Sequence, residues 1–411
     1  MMREKALPDH IPSRNLNRKG LAQYVLAATL ARLADGGGVL AVILLCVSNS
    51  RSAGYAGLLA ACITLPHLAG PFIARSIDTA RDGRRVIAVA CLACTGFIFT
   101  ATLTFSSVPL AVTATLLAGA GICGPMLTGG ISTCLAGIAG SSQKSQRRAQ
   151  GWDVATYGLG GTVGPSLVAA LAAWSSPQAA LYVLAGTTAL AAFFIMRIPR
   201  TLTVATSSSE HQDAPGAVRT IKMMLGQARL RRTLYLTLAV AFCVAVLPVT
   251  AVSLAPTLGI AATTAAYLTV AYGSGNLAGS VCLMIRPLVG EPDVLMVRFA
   301  CFIATGVFLI LIGANFAMLL MLFFITGMLN AGFFAATLAA RGEYSPASCR
   351  GQVFVWVGAL KITAGSLGTA TAGRLMLTDS IWPLAAGIIM LVTFISVALT
   401  ERTLETLSVG D

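Results

Sequence analysis

The ionisable residues that could do chemistry in this chain are few and stand in apolar company. Arg32 and Asp35 lie three residues apart inside one apolar stretch, on neighbouring faces of a helix, and Lys361 stands about nine residues inside another. A charge in such a setting is costly unless it faces a watery cavity or an opposite charge, so each is a candidate for moving a proton or holding a solute. Asp35 is the best candidate for a proton carrier, with Arg32 as its partner or as a substrate contact. Lys361 either contacts substrate, balances a carboxylate, or snorkels to the near surface. His67, Asn276 and Asn330 are candidate cavity residues, although a lone polar residue on a membrane helix equally serves as glue between helices.

Composition dictates the elements that must position them. Of 411 residues, 56% are hydrophobic and only 10% charged, with a mean hydropathy of +0.81, which excludes a water-soluble globular protein. The apolar residues fall in runs of about 20 without strand-like alternation, so the chain reads as an all-α membrane protein rather than a barrel. Twelve stretches qualify: 20–47, 53–74, 86–106, 108–139, 152–174, 178–197, 233–256, 262–285, 294–313, 316–340, 353–377 and 381–400. At 1.5 Å per residue Arg32 and Asp35 lie roughly 18 and 22 Å into the first stretch, deep in a bilayer. The run Gly36-Gly37-Gly38 directly after Asp35 is expected to weaken the helix there, where unwound backbone could line a cavity. With a charged pair in its middle and no small-residue cleavage site, the first stretch is expected to be a retained helix.

An even number of crossings puts both termini on one side, and 24 of the 28 Lys and Arg fall on that side. The positive-inside rule then makes it the cytoplasm and the protein a multi-pass inner-membrane protein; the net charge of +13 reflects topology, not nucleic-acid binding. The expected organisation is a cytoplasmic tail over 1–19, a six-helix unit over 20–197, a cytoplasmic central loop over 198–232, a second six-helix unit over 233–400 and a cytoplasmic tail over 401–411. Within the central loop 203–213 reads as flexible, and 216–232 as either a basic helix on the inner leaflet or a solvated linker. The halves echo one another: Leu68-Ala69-Gly70 matches Leu277-Ala278-Gly279, and Arg148-Ala149-Gln150-Gly151 matches Arg350-Gly351-Gln352. Such a repeat suggests two bundles facing each other across a midplane site.

Several chemistries lose support. Gly119, Gly121 and Gly124 spell a dinucleotide fingerprint but sit in a membrane run without a preceding strand, and Cys91 and Cys94 form a CxxC without partners. The other cysteines also lie in helices, apart from Cys349, so neither a disulfide framework nor a metal site is indicated. With no HExxH, Walker A or GxSxG motif, an enzyme or ATP-driven pump is not expected.

The loop after the second stretch, Gly70 to Arg85, resembles the signature of the major facilitator superfamily, with Asp78, Gly83, Arg84 and Arg85 in the signature's roles. Ala74 stands where the family has Gly, and four residues rather than two separate Asp78 from Gly83. In the fifth stretch Gly151, Gly160, Gly164 and Pro165 resemble the antiporter signature of family exporters, whose final Gly-Gly is here Val168-Ala169. The resemblance implies twelve helices in two pseudo-symmetric six-helix bundles, a loop that latches the bundles on the inner side, and alternating access. Asp153, at the inner start of the fifth stretch, is expected to join the inner gate or cap the helix; the exporter-like signature points to export in exchange for protons, and the mostly Ala, Gly, Leu, Val and Phe cavity helices to a small, fairly apolar organic molecule. Drug exporters of the family often carry an Arg in helix 4; no basic residue occurs between Leu110 and Lys144, and Arg32 could replace it. The proton gradient is the energy source, with no cofactor, and the partners are a small-molecule substrate, protons and membrane lipids around a monomer. The alternatives are a proton-symporting nutrient importer, or an intramembrane enzyme or sensor.

Overall fold

The computed structural model describes residues 17–51, 53–140, 142–199, 215–254, 258–260, 262–313, 315–375 and 381–408. Most of the N-terminal tail, the 203–213 segment and the last three residues lie outside the described residues. Twelve helices are long and apolar enough to cross a membrane: α1 (Arg18–Ser48), α2 (Tyr55–Thr79), α3 (Gly83–Thr104), α4 (Leu110–Gly137), α5 (Gln143–Trp174), α6 (Pro177–Arg197), α7 (Ala228–Ala251), α8 (Tyr267–Ile285), α9 (Pro292–Leu311), α10 (Phe316–Tyr344), α11 (Ala347–Leu375) and α12 (Trp382–Glu405). Their starts are chemically marked. Asn17, Asp82, Ser142, Ser176 and Asn315 each accept a backbone N–H of the first turn, so the freed donors at these helix ends are partly satisfied before the chain meets lipid.

Packing divides the helices six and six. One apolar core runs from Leu21 to Ile198, a second from Leu236 to Ala398. Within the first, α1 packs on α5 and α6, α2 on α4, and α3 on α6; within the second, α7 packs on α11 and α12, α8 on α10, and α9 on α12. The same pairings recur at the same positions in the order of helices, as a duplicated six-helix unit requires. The units meet through α5 against α8 and α2 against α11, again a symmetric pair. Large apolar side chains such as Val89, Phe99, Phe193, Val270 and Ile389 are exposed around the bundle, as a lipid-facing surface demands.

The first helix departs from expectation: α1 is helical without interruption through Gly36, Gly37 and Gly38. The glycines serve close packing instead of unwinding. A side chain at Gly36 would strike the carbonyl of Gly160, and one at Gly37 would come within 3.0 Å of the Gly164 carbonyl. Backbone meets backbone along this α1/α5 seam, as small residues permit in membranes. The irregular element is α4, where Pro125 cannot donate a backbone hydrogen bond and Met126–Gly130 forms a π turn. In the central loop a helix spans Ala217–Gly226; it buries Ala217, Thr220 and Met224 and leaves Arg219 and Lys222 outside. It docks on α11 through Gln352, which donates to the Pro215 carbonyl at 2.9 Å, and Trp356, which donates to the Ala217 carbonyl at 3.1 Å.

Candidate functional site

The end of the bundle that carries the basic loops is closed where the two halves meet. Asp78, on the last turn of α2, accepts the backbone N–H groups of Gly351 at 2.8 Å and Gln352 at 2.9 Å, at the start of the regular α-helix of α11. A carboxylate at a helix N-terminus satisfies orphan donors and meets the positive end of the helix dipole. At the symmetric seam Gly151 of α5 lies against the backbone of Leu283 on α8, and Arg147 pairs with Glu343 of α10 at 2.9 Å and donates to the Gly290 carbonyl at 3.2 Å. Only Asp78 of the four loop residues crosses to the other half. Arg84 donates to Asp82 and to the Ile198 carbonyl within its own half, Arg85 reaches Asp82 at 4.0 Å with most of its side chain exposed, and Gly83 packs on Ile77. Asp82, which sequence reading passed over, is the hub of that local set; its place directly before a helix start was the available signal.

The charges of α1 do not pair with each other. The Arg32 guanidinium reaches α5 instead, with Nη1 at 2.6 Å from Asp153 Oδ1 and 3.1 Å from the Asp153 carbonyl, and it also donates to Thr156 Oγ1. Its Nη2 donates to the Thr128 carbonyl at 3.1 Å and to Ser132 Oγ at 2.8 Å, both beside the widened turn of α4. The Tyr24 hydroxyl donates to the same Asp153 oxygen. Arg32 and Asp153 are 2% and 1% exposed, so this is a fully buried ion pair whose hydrogen bonds offset much of its desolvation. Asp153 is therefore not the cap of its helix; Ser142 caps α5, eleven residues earlier. Arg32 thus brings a guanidinium to the α4 backbone, which carries no basic residue of its own.

Asp35 turns the other way, toward α2. Its Oδ1 lies 3.2 Å from His67 Nε2, while His67 Nδ1 donates to the Ile63 carbonyl at 3.0 Å. With Nδ1 committed as a donor, the shared position between Nε2 and the carboxyl holds one proton, on the imidazole or on the acid. The pair borders a cavity of about 30 Å3 inside the first half, with Cys94 and Gly124 also in its wall, large enough for a water molecule. His67 thus lies in a cavity, but one within the first bundle. Asn276 stands on α8 and Asn330 on α10, two helices packed against each other within the second half.

At the interface of the halves Tyr157 of α5 stacks edge-on to Phe334 of α10, ring centres 4.8 Å apart. The Arg32 guanidinium lies 3.4 Å from the Tyr157 ring centre and the Lys361 ammonium 3.7 Å from that of Phe334. Lys361 does not snorkel: it is half-buried and capped by aromatic rings. Arg341, missed from sequence because it stands near a helix end among topogenic residues, is 1% exposed and lies 5.8 Å from the rings of both Phe334 and Phe354. Directly below, a cavity of about 270 Å3 between the halves is lined by Gln146, Gln150, Asp153, Glu343, Arg350 and Phe354 among others. Of the glycines in the fifth helix, Gly160 and Gly164 face α1, Gly151 faces α8, and Pro165 lies inside a helix that continues through it.

The architecture and the chain agree with known proteins. The chain is similar over 93% of its length to a bacterial homologue of the iron transporter ferroportin in an outward-facing state (TM-score 0.73, 12% identity, 99% of that chain). It is similar over 94% of its length to the human organic anion transporter MFSD10 (TETRAN) (TM-score 0.67, 15% identity, 100% of that chain). It also resembles the proton:xylose symporter XylE over 93% of its length (TM-score 0.65, 16% identity, 95% of that chain). A curated relative, an uncharacterized MFS-type transporter, y4rN, from Sinorhizobium fredii (strain NBRC 101917 / NGR234), is 29% identical over 224 residues; the match spans about half of each chain, 52% in both. The profile of the Major Facilitator Superfamily matches residues 25–292, more than half of the sequence. A duplicated six-helix bundle latched by Asp78 at one end, together with that match, makes this multi-pass membrane chain a member of the Major Facilitator Superfamily.

Proposed function

We propose that the protein is a secondary active transporter that exports a small organic molecule with an apolar body across the cytoplasmic membrane in exchange for protons, with both termini and the latched end on the cytoplasmic side. The observation that carries this reading is the seating of Asp35. The two residues that follow it, Gly36 and Gly37, are packed backbone to backbone on Gly160 and Gly164 of α5, the glycines of the exporter-like motif. Moving a proton onto or off the Asp35–His67 pair changes the charge one residue from that seam, and α5 also carries Asp153, Tyr157 and the α8 interface. Proton occupancy and the relation of the two halves are then linked through one rigid helix. The substrate and the proton occupy separate places, the central cavity and the first half's interior. Alternating access follows if substrate in the centre and a proton at Asp35 favour opposite arrangements.

The test is proton movement in proteoliposomes bearing a pH gradient, with wild type beside Asp35→Asn and His67→Gln, while a panel of amphipathic organic compounds is added. Substrate-triggered proton release from wild type, absent in Asp35→Asn, is the expected result. An unchanged response in Asp35→Asn would remove Asp35 as the carrier, and accumulation of a nutrient with inward proton flow would replace export by import.

A further inference from the structure

Two cations close to the central cavity, Lys361 and Arg341, have no ion-pair partner in the wall of that cavity. Its two wall carboxylates are already committed, Asp153 to Arg32 at 2.6 Å and Glu343 to Arg147 at 2.9 Å. Among the described residues no carboxylate lies within 4 Å of Lys361 or Arg341. Both cations sit over the Phe334 ring, and Lys361 is close enough to Arg341 and Arg32 to be repelled by each.

Arg341 is the more telling of the two. At 1% exposure its Nε and Nη2 find no hydrogen-bond acceptor, and these two nitrogens form one edge of the guanidinium, the edge that takes a carboxylate through two parallel bonds. A buried arginine normally fills that edge, since an unmatched buried charge is among the costliest features a fold can carry. Leu338 and Gly342, neighbours of Arg341 on α10, line the cavity, and Arg341 lies buried behind them. The aromatic pair Tyr157 and Phe334 supplies an apolar surface of ring size beside both cations.

We infer that the transported molecule is an organic monoanion, its carboxylate or similarly compact anionic group taken by Arg341 and Lys361 and its apolar body lying on Phe334 and Tyr157. The inference rests on the central cavity being the substrate path, as proposed above, and adds the sign of the substrate's charge. The anion would supply the counter-charge that Arg341 and Lys361 lack, and the pairing would be strongest when the halves close around it and exclude water.

Binding to the purified full chain, which requires neither flux nor a pH gradient, separates this inference from the export reading. The probes are 2-naphthoate, 2-naphthamide and 2-naphthylmethylammonium, which share a ring and differ in head group, read by calorimetry or thermal shift in detergent. The naphthoate should bind about tenfold or more tighter than the other two, and Lys361→Gln and Arg341→Gln should each weaken it by about tenfold while leaving the amide unchanged. Arg341→Lys, which keeps the charge and loses the fork, should fall between. The unchanged amide affinity reports that each variant is folded. Equal or tighter binding of the amine or the amide, naphthoate affinity indifferent to both variants, or no naphthoate binding at millimolar concentration would overturn the inference. Naphthoate binding without proton movement in liposomes would instead count against proton exchange and leave the anion site standing.

Discussion

The two halves share one architecture and place their buried charges differently. In the first half the α1/α5 contact holds Arg32 against Asp153, with Tyr24, Thr156, Ser132 and the Thr128 carbonyl completing the set. In the second half the corresponding α7/α11 contact has no ion pair among its described residues; Gly368 lies against the Phe242 backbone, Gly365 faces Ala241 and Ala245, and Thr369 donates to the Ala245 carbonyl at 3.3 Å. The second half has its buried ion pair elsewhere, Arg232 of α7 with Asp293 of α9 at 3.0 Å, while Lys361 on α11 and Arg341 on α10 have no carboxylate within 4 Å among the described residues. A buried ion pair costs desolvation and gains little net stability, but it holds its helices in one register. The α1/α5 contact is thus held around a paired charge, whereas Lys361 and Arg341 of the second half are left for something that enters.

The largest test of that contrast is Asp153→Asn, which strands Arg32 in the first half. It should lower the unfolding free energy by about 3–5 kcal/mol, read by thermal or denaturant unfolding in detergent, and the double variant with Arg32→Gln should recover part of the loss. Lys361→Gln, at a cation without an ion-pair partner, should leave stability unchanged or raise it. If the two substitutions cost the same, the contrast fails.

Next in size is Gly160→Ala, whose added carbon would lie 2.7 Å from the Arg32 backbone carbonyl and from Arg32 Cβ. Overpacking of that kind costs about 1–3 kcal/mol, and here it should also displace Arg32 from Asp153. A smaller effect is expected of Asp78→Ala. Loss of this cap, at about 1 kcal/mol, should loosen the α2/α11 seam, with severalfold faster thiol labelling at Cys349, now buried in the first turn of α11. Labelling equal to wild type would mean that the α5/α8 seam alone holds the end closed. The smallest effect has the opposite sign: Gly161→Ala, one residue from the seam and with nothing within 4 Å of the added carbon, should be neutral or stabilise by up to about 1 kcal/mol. Together with Gly160→Ala it separates helix propensity from the close approach.

Much was legible before any coordinates. The number of helices, their approximate limits and the six-plus-six division followed from runs of apolar residues, because a bilayer requires about 20 such residues per crossing and tolerates little else. Asp78 was legible through its motif, and the crowding glycines of α5 through their spacing. The partners were not. Arg32 and Asp35 are three apart in sequence, which invites pairing, yet their side chains leave α1 in different directions, one to Asp153 121 residues away and the other to His67. The run of three glycines looked like a break because glycine weakens an isolated helix, and it is helical here because α5 packs against it.

Sequence alone therefore determined the medium, the helices and the kinds of groups placed within them, since hydropathy and motif spacing are local properties of the chain. Only the tertiary structure decided which charges cancel. Cancellation depends on ångström distances between residues more than a hundred positions apart, and in a low-dielectric interior those distances separate a structural ion pair such as Arg32–Asp153 from a cation such as Arg341 that is left for a ligand.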